Sequence, residues 1–232
     1  MHVICLLSQK GGSGKTTLAI SLAAAAEKRG KEALIIDLDP QATACKWGDR
    51  RKRESPIIID AQPARLANAL QKAREGGIDV AVIDTPPRSA EAALAAAKLA
   101  DLIILPSRPQ MYDLETVPNA LELIATANAG RTTAIPVLAI LNAVPSQGNR
   151  HEQARAAIEA LGVPVCKQTV GHRAAFGDAG TLGLSVIEHD GSGRASEEIR
   201  QVYLAIERLL SSEPSRQDAK PASGRRKAPA KP

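Results

Sequence analysis

The sequence predicts an α/β fold, a doubly wound and mostly parallel sheet of seven or eight strands flanked by helices. Short, continuous apolar runs recur along the chain, the pattern of strands buried on both faces. Between them lie longer segments whose apolar residues follow helical spacing. The first run breaks into the glycine-rich stretch Ser8-Gln9-Lys10-Gly11-Gly12-Ser13-Gly14-Lys15-Thr16-Thr17, and an alanine-rich helix follows at once.

Taken in order, Val3 to Leu7 is the first strand, Thr16 to Arg29 a helix ended by Gly30, and Ala33 to Asp37 the second strand. Residues 42 to 54 read as a helix carrying Trp47 and the cluster Arg50-Arg51-Lys52-Arg53, a solvated face or a nucleic-acid contact, the former favoured. Ile57 to Asp60 is a strand, Pro63 to Arg74 a helix, and Val80 to Asp84 a strand ending in a carboxylate. Helix Ala90 to Leu99, strand Leu102 to Leu105, a helix after Asp113 and strand Val137 to Leu141 continue the alternation. A helix over 150 to 161, a strand Val163 to Cys166 and an amphipathic helix Ser196 to Leu210 complete it. That last helix is expected to pack on the sheet. Its polar face carries Glu197, Glu198 and Glu207, which suits an anionic membrane surface poorly.

The glycine-rich stretch has the chemistry of a phosphate cradle. A strand that turns tightly into a helix leaves backbone N–H groups aimed at one point, and the helix dipole favours negative charge there. Gly11, Gly12 and Gly14 permit close backbone approach, Ser13 and Thr17 lie within reach of phosphate oxygens, Lys15 adds a full charge, and the Thr16 hydroxyl suits Mg²⁺. The usual spacing asks for glycine five residues before Gly14, where this chain has Gln9, followed directly by a second lysine, Lys10.

In Lys10-Gly11-Gly12-Ser13-Gly14-Lys15-Thr16-Thr17 the chain resembles the deviant Walker ATPases of the ParA/MinD family, and most of all the short ParA-type DNA partition proteins. Asp37-Leu38-Asp39-Pro40-Gln41 resembles that family's first switch, with Asp39 matching the residue that orients the attacking water. Asp39-Pro40 equally reads as a helix start. Asp84-Thr85-Pro86-Pro87 resembles the second switch and its Mg²⁺-holding carboxylate, with Asp37 in the metal's outer shell. Asn142, at a strand end, matches an adenine-reading asparagine and is also an ordinary turn residue. The stretch 173 to 186 loosely resembles the C-terminal part of short ParA proteins. The resemblance spans residues 1 to about 210.

The resemblance implies a cofactor set of ATP and Mg²⁺ and a homodimer with ATP sandwiched between subunits, Lys10 acting in trans on the partner's nucleotide. It further implies non-specific DNA binding by the ATP dimer and a centromere-binding ParB-type adaptor that stimulates hydrolysis. Four aromatic residues leave no base-stacking platform, so DNA contacts are expected at phosphates; Arg173, Arg194 and Arg200 are candidates, with salt-bridged structural arginines as the other reading.

Composition bounds the rest. The length suits one domain, expected over 1–211, and no apolar run approaches the ~18 residues of a membrane span. Nor does the start leave room for a signal peptide. Three scattered cysteines, Cys5, Cys45 and Cys166, signal neither disulfides nor a metal cluster and suit a reducing cytoplasm, with nucleoid association expected from the DNA reading. Of the net charge of +5, residues 212–232 supply +4, from six basic and two acidic residues. This basic tail rich in Pro, Ala and Ser is expected to be disordered, serving solubility or DNA phosphates. Rival functions are a MinD-like positioning ATPase acting on a membrane or protein cluster, a P-loop small-molecule kinase, and a nucleotide switch that does not hydrolyse.

Overall fold

A computed structural model describes residues 1–212; of the expected tail, 212–232, all but its first residue lies outside them. Six parallel strands form one sheet in the order β3-β2-β4-β1-β5-β6. These are β1 (His2–Leu6), β2 (Ala33–Asp37), β3 (Ile57–Asp60), β4 (Val80–Asp84), β5 (Leu102–Ser107) and β6 (Val137–Leu141). The expected doubly wound parallel fold is present, with a lower strand count. Residues 163–172 run beside β6, meeting it at the bridge Ala139↔Val165 and where Val170 N–H donates to the Leu141 carbonyl, with a second bridge, Val144↔Gly171, just past its end. Pro164 has no N–H to give, so around Ala139 the pairing is limited to the Pro164 carbonyl accepting from Ala139 N–H and Cys166 N–H donating back to the Ala139 carbonyl, and it resumes only at Val170.

Side-chain alternation divides the core into two layers. Val3 and Cys5 of β1, Leu34 and Ile36 of β2, and Ala81 and Ile83 of β4 point to one face. Ile4 and Leu6, Ala33 and Ile35, and Val80 and Val82 point to the other. The first layer is covered by α3 (Leu66–Glu75), α4 (Ala90–Leu99), α6 (Val117–Asn128) and α7 (Arg150–Ala160), the short α5 (Met111–Leu114) leading into α6. The second is covered by α1 (Lys15–Glu27), α2 (Thr43–Asp49), α8 (Ala174–Thr181), α9 (Val186–His189) and α10 (Arg194–Ser212).

Helix α1 owes its place to small residues: Ala19, Ala23, Ala25 and Ala26 are buried with Leu18 and Leu22, which lets its backbone lie close to the sheet. Gly30, at φ +74, ends it. Helix α10 buries Ile199, Val202, Tyr203 and Ile206 in the second layer, as its spacing predicts, but Leu210 rather than the expected Leu209 completes the buried face, Leu209 being half-buried. No helix among the described residues is long and apolar enough to cross a membrane.

Two expectations change. Helix α2 stops at Asp49 rather than 54, and Arg51 turns inward with its side chain 2% exposed. It stacks 4.3 Å from the Trp47 ring and pairs with Glu188. At this position the basic cluster is therefore a core contact rather than a solvated face. Glu198, expected on the polar face of α10, is instead buried against Arg173.

Candidate nucleotide site

Because all strands are parallel, their carboxyl ends share one edge, and register aligns the functional residues there. Leu6 lies opposite Asp84, and Asp84 opposite Asp37. Such an edge is where an open α/β sheet binds its ligand. The loop after β1 passes over this edge into α1. Gly12 (φ +75) and Gly14 (φ +92) hold left-handed backbone conformations that glycine reaches without strain.

Lys15 is buried in the loop, and its Nζ donates to the Lys10 carbonyl at 3.2 Å. Burial holds its pKa below the ordinary lysine value, with the nearby Asp84 and Asp39 carboxylates opposing that shift. Thr16 Oγ1 donates to Asp84 Oδ2 at 2.6 Å. Burial pushes the Asp84 carboxyl up to about 7, the Thr16 hydroxyl opposing and the Asp37 charge adding to the effect. Asp84 Oδ1 is sealed from solvent without a partner. A hydroxyl and a buried, half-satisfied carboxylate are hard oxygen donors of the kind Mg²⁺ takes, with phosphate and water completing its shell. The residues present therefore fit the ion.

Asp37 is otherwise engaged. Its Oδ1 accepts from Asp39 N–H, and its Oδ2 accepts from Ala44 and Cys45 N–H at 2.9 and 3.3 Å. The carboxylate thus shapes the turn from β2 into α2, and burial raises its pKa against those hydrogen bonds. Asp39 sits half-buried beyond it, accepting from Gln41 N–H at 2.9 Å. Ala42 enters α2 at φ +51, a left-handed conformation that a Cβ disfavours.

Asn142 comes to the loop from the end of β6. Its Nδ2 donates to the Ser13 carbonyl at 2.8 Å, and a Cβ at Gly14 would stand 2.0 Å from that nitrogen. In this structure it braces the phosphate loop. The second lysine, Lys10, lies on the rim, 34% exposed, and its Nζ bonds Asp113 Oδ2 at 2.5 Å, the carboxylate being 3% exposed. Of the arginines expected at DNA, Arg173 pairs with Glu198 and Arg200 with Glu197 and the Gly191 carbonyl, while Arg194 is exposed at the start of α10. All three lie away from the loop-bearing strand ends in sequence, and the first two have their charge met within the chain. Two site neighbours were not legible in the sequence: Asp113, and Arg108, whose guanidinium lies against Gly12. Each follows a buried strand end by a few residues, but no motif marks them.

The profile described as CobQ/CobB/MinD/ParA nucleotide binding domain matches residues 4–186. The chain belongs to this family. Membership makes the loop a nucleotide site and the chain a P-loop ATPase that works on ATP with Mg²⁺. A curated relative, the maintenance of carboxysome distribution protein A of Gloeobacter kilaueensis, is 31% identical over 89% of this chain and 94% of its own length. The chromosome-partitioning ATPase Soj of Thermus thermophilus is 31% identical over 60% of this chain and 67% of its own. Among solved structures, apo McdA of Cyanothece superposes with a TM-score of 0.74 at 18% identity, covering 89% of this chain and 99% of that one, and so agrees in fold.

Proposed function

We propose that this ATPase is a partitioning switch: it dimerises on ATP, the dimer binds DNA without sequence preference, and hydrolysis releases it. The observation that carries the reading is the pair of lysines. Lys15 lies buried inside the loop, placed to meet its own subunit's phosphates, whereas Lys10 stands partly exposed on the rim with its ammonium paired to Asp113. A cation in that place serves a nucleotide held by a second copy. Met111 and Tyr112, each 73% exposed beside Lys10, supply apolar surface for such a partner.

In this reading the loop amides of Gly11, Gly12, Ser13 and Gly14 and the Lys15 ammonium hold the β- and γ-phosphates, and Thr17 meets the α-phosphate. Thr16 ligates Mg²⁺, Asp84 holds a metal-bound water, Asp39 orients the attacking water, and Asn142 stands near the adenine side while bracing the loop. Asp37 acts indirectly, by positioning Asp39. Phosphoryl transfer to water asks for this much from a protein: charge neutralisation and an aligned nucleophile. ATP at the interface favours the dimer by its differential affinity for the two states. Arg194 remains the proposed DNA contact of the three arginines, and a ParB-type adaptor is the proposed trigger of hydrolysis on a nucleoid-bound dimer.

A second reading, positioning of a protein assembly, is favoured by the relative named for carboxysome distribution. The test is binding to a non-specific duplex with ATP, with ADP and without nucleotide, across a salt series. ATP-dependent binding that weakens linearly in log salt is expected. Binding that ignores the nucleotide overturns the switch, and ATP-driven dimers that ignore DNA move the cargo to a protein or membrane. Lys10→Ala is expected to keep ATP binding and lose dimerisation.

A further inference from the structure

Three cations stand at the phosphate loop, and two are already matched: Lys15 to the Lys10 carbonyl, Lys10 to Asp113. The third is Arg108. It follows β5, the strand on the opposite side of β1 from β4, between Pro106 and Pro109. Its guanidinium lies flush against the loop at Gly12, where a Cβ would stand 3.5 Å from Nη2, 3.9 Å from Cζ and 4.0 Å from Nη1. Its Nε is sealed from solvent with no acceptor, and no hydrogen bond or ion pair reaches the side chain from any described residue. The contrast with other inward arginines is sharp. Arg51 also has a sealed Nε without a partner, but its Nη groups, like those of Arg155 and Arg173, are held by carboxylates or carbonyls, whereas those of Arg108 are not.

A half-buried guanidinium without an acceptor is costly, and the cost disappears if an anion arrives. The neighbouring anion site is the loop itself. Sheet order brackets that site: Thr16 and Asp84 stand on the β4 side, Arg108 on the β5 side. The phosphate nearest α1 is served by that helix's N-terminus and Lys15, while Gly12 belongs to the outer limb of the loop. We propose that Arg108 is a ligand of the terminal phosphate of a nucleoside triphosphate, on the side that the metal leaves open, and that it sets the preference for triphosphate over diphosphate. A planar fork of donors suits that group, since it takes two phosphate oxygens at once.

The inference rests on the phosphate-loop reading, and the test separates the two. Calorimetric titration with Mg²⁺ and either ATP or ADP is applied to the full chain and to Arg108→Ala, Arg108→Lys and Lys15→Ala. Arg108→Ala is expected to weaken ATP by about tenfold and ADP by no more than about twofold, as for one lost charge-assisted contact. Arg108→Lys restores part of the ATP affinity, because it returns the charge but not the fork. The thermal midpoint of nucleotide-free Arg108→Ala holds or rises, since no acceptor is left behind. Equal losses of ATP and ADP, or no loss of either, overturn the assignment to the terminal phosphate. Lys15→Ala is expected to lose both nucleotides; if it binds both normally, the loop reading fails first and takes Arg108 with it.

Discussion

Glu188 and Asp84 are both carboxylates withdrawn from water, and burial acts on both in the same direction, yet they finish on opposite sides of the ordinary range. For Glu188 the penalty of burial is outweighed by Arg51, whose two Nη atoms donate at 2.8 and 3.0 Å, and by Ser185 N–H at 2.8 Å, so its pKa is lowered. For Asp84 burial, helped by the like charges of Asp37 and Asp39, is opposed by a single hydroxyl from Thr16 and the nearby Lys15 charge, and its carboxyl rises to about 7. The first is a completed group that ties α2 and the segment after it to α9. The second is an incomplete one, with Oδ1 left bare. Stability and ligand readiness are thus separated by how many donors each carboxylate is given.

Breaking the completed side gives the largest effect. Arg51→Ala strips Glu188 of its bidentate partner, leaving Arg53 at 3.8 Å and the Ser185 N–H, and is expected to lower unfolding free energy by about 3 kcal/mol in a denaturant titration. A loss below about 1 kcal/mol would place this pair with ordinary surface bridges and end the contrast. Next comes Asp84→Asn, expected to stabilise the nucleotide-free protein by a few kcal/mol above pH 7 while abolishing Mg²⁺-dependent hydrolysis. The sign follows from the raised pKa. Native Asp84 keeps its proton to about pH 7 where the unfolded chain releases it near 3.8, so its penalty is absent at acid pH, grows across that window and is complete above it. Glu188 acts oppositely: with a lowered pKa, its contribution is present at neutral pH and lost on acidification. Thermal midpoints in chelator from pH 4 to 8 should fall less steeply for Asp84→Asn than for the unaltered chain, the residual slope belonging to Asp37, whose pKa is also raised.

A smaller effect is expected at the rim. Asp113→Asn removes the carboxylate that holds Lys10, so ATP-driven dimerisation should reach its midpoint at lower ATP, read by light scattering, with stability changed by less than about 1 kcal/mol. A midpoint that moves to higher ATP would make Asp113 a guide for Lys10 rather than a restraint. Smallest is Ala42→Gly. It relieves a left-handed alanine at the entry to α2 against the entropy of glycine, for a net change within about 1 kcal/mol by the same titration.

The buried strands β2, β4 and β6 were legible because nothing but apolar residues can fill them, and they fall where the runs predict, as does the half-exposed edge strand β3. That the loop, Thr16 and Asp84 meet at one strand-end edge was equally legible, since spacing and strand-end position bring them there. What sequence left hidden is set by tertiary contact. Arg51 looked like one of four surface cations until Trp47 and Glu188 took it in. Pro164 thinned an expected strand to isolated bridges, and Asp113 and Arg108 reach the loop from the far side of a crossover that no local pattern records.

The contact between Asn142 and the loop has a consequence for anyone wishing to move this site elsewhere. The curve of residues 8–17 is clamped by a side chain that enters more than a hundred positions later, and Gly14 is bare because that side chain occupies the space a Cβ would need. Transplanted into another strand-and-helix scaffold, the ten residues would arrive without their clamp; in this chain, any non-glycine residue at 14 would first have to evict it. The loop is half of a two-part device, and its other half is at the end of β6.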